Sequence, residues 1–190
     1  MKNIIYYTIL SFVLISCNNN SKQVNNTEES TAVEQVETSA DTKAIYNRNV
    51  ANFKAMLDAW SNQDVEAALN LMADDFMETG TGYGEPDRTK EEWKTQSEGM
   101  MSIMKPTLKQ VIYLPGIDTV SFEMDGSVRY YGTWNFAVGE KDVDLMVYGT
   151  ADFNDEGLLT SLAHYADFGV AMMQILPEEM MQQMMGEGEE

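Results

Sequence analysis

The sequence predicts an α+β domain: a curved antiparallel sheet wrapped around three N-terminal helices. Three observations carry that expectation. Apolar residues recur at helical spacing as far as Pro106, the period changes to two after Thr107, and turn-forming residues cluster at 125–126, 139–142 and 154–157. Helices followed by a run of hairpin-linked strands form one of the few layered layouts that bury both kinds of apolar face.

Tyr46, Val50, Phe53, Leu57 and Trp60 fall on one stripe of a first helix. Asp64 is placed to N-cap a second, which turns Val65, Leu69 and Met72 inward. A short strand is expected from Ala73-Asp74-Asp75-Phe76. Thr89-Lys90-Glu91-Glu92 has the form of a capping box. It opens a third helix with Trp93, Ser97, Met100 and Met104 on one side, and Pro106 stops it. Strands are then expected at 107–114, 117–124, 127–138, 143–153 and 158–168. No internal repeat is visible.

The first 16 residues have the parts of an export signal: Lys2, the apolar run Ile4 to Ile15, and the small residue Ser16 before Cys17, the single cysteine. Such a stretch is shorter than the roughly 20 residues of a spanning helix. Leu14-Ile15-Ser16-Cys17 resembles a lipoprotein lipobox, which implies lipidation of Cys17, palmitate included, and anchoring to the bacterial cell envelope. Asn18-Asn19-Asn20-Ser21-Lys22 lacks the acidic residues of a surface-export signal, so the expected address is the periplasmic face of the outer membrane. Residues 17–42 are polar with no aromatic and read as a flexible tether spanning roughly 25–30 Å. Residues 43–170 are expected to form one folded domain, and 171–190 a Met-rich helix with an acidic tail.

The formal net charge is −19, and loss of Lys2 with the signal makes it one unit more negative. That disfavours nucleic acid, which needs cationic side chains against its phosphates. With one cysteine no internal disulfide can form, and no His or Cys cluster points to a metal. No cofactor is expected.

Trp60-Ser61-Asn62-Gln63-Asp64-Val65-Glu66-Ala67-Ala68-Leu69, Ala73-Asp74-Asp75-Phe76, Phe153-Asn154-Asp155-Glu156-Gly157-Leu158-Leu159 and Tyr165-Ala166-Asp167 resemble the SnoaL-like branch of the nuclear transport factor 2-like superfamily over about residues 45–168. The resemblance implies the cone fold and leaves function open, since such cones host isomerases, epoxide hydrolases, polyketide cyclases, dehydratases and non-catalytic binders. The positions that carry the tyrosine and two aspartates of ketosteroid isomerases fall on Met56, Gly80 and Gly149, so that activity is not implied. The arginine and paired aspartates of the epoxide hydrolases find no interior equivalents. His164 and Asp167 match an interior histidine and a final-strand acid of polyketide cyclases, but alternation puts them on opposite faces.

Pairing across the expected turns sets Val138 against Val143, Trp134 against Val147, Phe153 against Leu158 and Val147 against His164. One face then collects Val128, Tyr130, Trp134, Phe136, Val147, Leu162 and His164, with no strand carboxylate among them. The other collects Arg129, Tyr131, Asn135, Asp144, Tyr148, Asp152 and Tyr165, and serves as a wet face or, as the resemblance implies, a homodimer surface. His164, the single histidine, is the candidate acid/base; a core histidine bonded to one polar neighbour is the plainer alternative.

Asp152 to Gly157 mimics the start of a calcium loop, but its twelfth position is Ala163. Gly80-Thr81-Gly82-Tyr83-Gly84 lacks the lysine of a phosphate loop and reads as a rim loop carrying Tyr83 over the cone. Met172, Met173, Met180, Met181, Met184 and Met185 suit packing better than copper(I). The leading expectation is a lipid-anchored cone that binds a small apolar or aromatic molecule through Tyr83, Trp93, Tyr130, Trp134 and His164 without robust catalysis. Two alternatives stay open: an isomerase, dehydratase or hydrolase using His164, and an interaction module acting through the outer sheet face or the methionine tail.

Overall fold

The computed structural model describes residues 28–180, with side chains described from Asp41 onward. Cys17, the export signal, Met181, Met184 and Met185 lie outside the described residues. Helix α1 runs Glu28–Ser61 and so begins inside the stretch whose composition reads as a tether. Its apolar stripe behaves as the spacing predicts, burying Phe53, Met56 and Leu57. Asp64 caps α2 (Val65–Leu69), its carboxylate accepting the Ala67 N–H at 3.0 Å.

Met72 opens strand β1 (Met72–Thr79) instead of continuing α2, and β2 is the two-residue Arg88–Thr89. The capping box opens α3 (Lys90–Ile103): the Thr89 N–H donates to Glu92 Oε2 at 2.8 Å, and the Thr89 hydroxyl accepts from the Glu92 N–H. Next come β3 (Lys105–Ile117), β4 (Met124–Val138), β5 (Lys141–Phe153), β6 (Leu159–Tyr165) and α4 (Phe168–Ile175).

The strands form one six-stranded sheet in the order β2-β1-β6-β5-β4-β3. It is mixed, not purely antiparallel, because β1 lies parallel to β6. The expected separate strand at 117–124 is absent: Asp118 Oδ1 accepts the N–H groups of Val120 and Ser121 and closes a loop before β4. Asp125-Gly126 is absorbed into β4, where Gly126 has φ +83° beside a shift in register.

The β4–β5 turn is two residues, with Val138 opposite Lys141 and Gly139 at φ +60°. Glycine at the first central position is what the tightest hairpin turns favour. The pairing is therefore two residues off the expected one; Trp134 faces Leu145. Between β5 and β6 the shift is again two residues, and His164 faces Gly149. Because side chains alternate with period two, a shift of two leaves the faces unchanged. Val128, Tyr130, Trp134, Phe136, Val147 and Leu162 are buried against the helices, as that alternation requires.

Candidate functional site

The helices do not fill the concave side of the sheet. They leave a cavity of about 1260 Å³ bounded by α1, α3, α4, the inner sheet face and the loop after β1. Tyr83, Trp93, Tyr130, Trp134 and His164 all stand on its wall, Tyr83 as a fully exposed rim residue. Thioethers supply much of the rest: Met56, Met100, Met104, Met172 and Met180. Trp134 meets Trp60 edge-on at 5.0 Å, and the Trp60 indole N–H donates to Ser97 on α3 at 3.2 Å, which fixes the helix layer over the sheet.

A carboxylate does enter this interior, contrary to the face assignment from sequence. Along β1, alternation turns Phe76 and Glu78 inward, and Glu78 is 6% exposed on the cavity wall. It survives there because it is paired. Arg88 Nε donates to Glu78 Oε2 at 2.9 Å, and His164 Nδ1 lies 3.5 Å from Glu78 Oε1. Arg88 also donates to Glu85 Oε1 at 2.8 Å. Arg88 is therefore flanked by two carboxylates, the buried Glu78 and the exposed rim residue Glu85.

Burial alone would raise the Glu78 pKa, but His164 and Arg88 together hold it below the usual glutamate value. The Arg88 pKa is raised: burial opposes its charge, and the two carboxylates outweigh burial. Burial pushes the Tyr130 hydroxyl well above its ordinary value, so it stays protonated. The ring of Tyr130 meets that of His164 edge-on at 5.7 Å. His164 Nε2 and Tyr113 Oη are buried and have no hydrogen-bond partner among the described residues, and Tyr130 Oη, buried beside the Trp134 indole, has no acceptor for its proton.

The rim loop is tied to this group. Gly82 N–H donates to Glu85 Oε2 at 2.9 Å, Gly80 N–H to Asp87 Oδ1 at 3.0 Å, and the Thr81 hydroxyl to the His164 carbonyl. A Cβ at Gly80 would stand 2.3 Å from the Glu85 carbonyl oxygen, and one at Gly149 would stand 2.0 Å from Tyr130 Cε1. Both isomerase positions are thus closed to any side chain, and the third, Met56, is cavity wall. Asp167 is not across the sheet from His164: it N-caps α4, accepting from Val170 N–H at 3.3 Å, and borders the same cavity.

Sequence reasoning missed Glu78 and Arg88. The available signal was the i, i+2 spacing of Phe76 and Glu78, which puts both on one strand face. No group of three or more His, Cys, Asp or Glu side chains among the described residues could hold a metal ion.

No family model matches the chain, and no curated protein does. Solved structures do. A candidate polyketide cyclase from Xanthomonas campestris superposes with TM-score 0.58 at 14% identity, over 70% of this chain and 99% of that one. A pinacolase from Penicillium brevicompactum gives 0.56 at 14%, over 67% and 91%. An epoxide hydrolase from M. tuberculosis gives 0.52 at 18%, over 74% and 97%. The fold is that of the nuclear transport factor 2-like proteins, an α+β cone with an open, mixed sheet.

Proposed function

We propose that the chain is an exported, lipid-anchored protein whose cone binds a small apolar or aromatic molecule. The observation that carries this reading is the cavity of about 1260 Å³ walled by Trp93, Tyr130, Trp134 and methionine side chains. That combination of rigid aromatics and adaptable thioethers suits a non-polar guest, with few polar groups to orient it. Calorimetric titration with N-phenyl-1-naphthylamine should show one site per chain, and Met100→Lys on the cavity wall should weaken it at least tenfold with little change in melting temperature. Absence of saturable binding would overturn the reading. For the anchor, Cys17→Ala should move the protein from the membrane to the soluble fraction; unchanged partitioning would refute it.

One observation favours a second reading, turnover of the guest. Glu78 stands against Nδ1 of His164, the arrangement that orients a histidine for acid/base work. His164→Ala should then abolish turnover and leave the melting temperature nearly unchanged, whereas a large loss of stability assigns His164 to the core. The interaction reading rests on the outer face, where Tyr148 stacks on Tyr165 at 5.7 Å and meets Tyr131 in a tilted pair at 5.0 Å. Light scattering that gives a dimer mass, reduced to a monomer by Tyr148→Arg, would support it.

A further inference from the structure

We infer that the cavity selects neutral aromatic ligands bearing a hydroxyl group, whose O–H is accepted by Nε2 of His164. The inference rests on the reading of the cone as a ligand site and adds the chemistry of the ligand's polar end.

Glu78 decides which nitrogen of His164 carries the proton. Its Oε2 accepts from Arg88 Nε at 2.9 Å, and Oε1 faces His164 Nδ1 at 3.5 Å. An ionised carboxylate only accepts, so the neutral imidazole places its proton on Nδ1 and leaves Nε2 as a bare acceptor. The Arg88 guanidinium and the hydrogen bond from His164 hold Glu78 in that ionised form.

Nε2 has no partner among the described residues, and the Tyr130 O–H has no acceptor, because the Trp134 indole beside its oxygen can only donate; both residues are on the cavity wall. A buried polar atom without a partner is costly, and a ligand that supplies the partner recovers that cost. Nε2 requires a donor, and Tyr130, kept protonated by burial, offers one. A hydroxyl can donate to the first and accept from the second, whereas an ether or a ketone can only accept. Two carboxylates, Glu78 and Glu85, surround one guanidinium, so the site carries excess negative charge and repels acids.

The test is calorimetric titration of the full-length protein with 2-naphthol, 2-methoxynaphthalene and 2-naphthoate. We expect 2-naphthol to bind tighter than its methyl ether by on the order of tenfold, with 2-naphthoate weakest. His164→Phe should erase the difference between naphthol and ether.

Glu78→Gln gives a sharper outcome. Arg88 still donates to the amide oxygen, so the amide NH₂ turns to Nδ1 and the imidazole proton moves to Nε2. The preference should then invert in favour of 2-methoxynaphthalene. Equal affinity of naphthol and ether for the native protein, or a preference that survives His164→Phe, overturns the inference and leaves the cavity reading standing. If none of the three probes binds, the cavity reading itself falls.

Discussion

Tyr130 and Gly149 face each other across β4 and β5, and a methyl group at 149 would stand 2.0 Å from Tyr130 Cε1. The ring is fully buried, between Phe53 at 5.4 Å and His164 at 5.7 Å. Gly149→Ala should therefore destabilise the fold by about 1–3 kcal/mol. Urea unfolding would measure this, and Tyr130→Leu in the same chain should recover part of the loss, since the two sites share one space.

Arg88 forms an ion pair with Glu78, and both side chains are largely buried, 16% and 8% exposed. Arg88→Ala would strand the carboxylate and cost about 3–5 kcal/mol. Replacing both, as Glu78→Gln with Arg88→Met, should cost much less than Arg88→Ala alone. If the double variant is the less stable of the two, the pair is not what makes Arg88 necessary.

Acid should act through the same pair. The folded-state pKa of Glu78 lies below its ordinary 4.5, so its contribution to stability is fully present above that value and is lost as pH falls through the lowered one. Melting temperatures followed downward from pH 7 should fall more steeply for the native protein than for Glu78→Gln. Parallel curves would remove Glu78 from the acid response.

Tyr113 carries a buried hydroxyl with no partner among the described residues, that of Tyr130 is buried with no acceptor for its proton, and burial, aided by Asp58, pushes the Tyr113 pKa up to about 12. Removing an unmet polar atom without changing the ring should be neutral or stabilising, within about 1 kcal/mol. Tyr113→Phe and Tyr130→Phe test this by thermal unfolding. A loss above that range would mean that the hydroxyls do find partners.

The elements legible in the sequence were those whose periodicity or capping is strong. The stripe from Phe53 to Leu57, the Asp64 cap and the Thr89–Glu92 box appear as expected because each depends on neighbours in the chain. The inner residues of β4 to β6 were legible for a similar reason: the error in each hairpin was two residues, which conserves the face. Contacts made at a distance were not legible. Nothing local announces that β1 will lie beside β6, so the inward turn of Glu78 and its meeting with Arg88 and His164 had no sequence signal beyond the spacing from Phe76. The aromatic wall needed only alternation, whereas the charged group needed the topology.

The parallel pairing of β1 with β6 also governs when the site comes into being. Glu78 leaves the ribosome 86 residues before His164, and their strands have no covalent shortcut between them. Pairings so far apart in sequence form slowly, after local structure. During synthesis, α1 to β5 can assemble while the edge of β1 stays open and Glu78 has only Arg88 to answer its charge. The last strand then closes the sheet and delivers the imidazole in one event, so a chain that stops short of β6 lacks the histidine and keeps an unpaired sheet edge, the kind of surface that quality-control proteases and chaperones meet first.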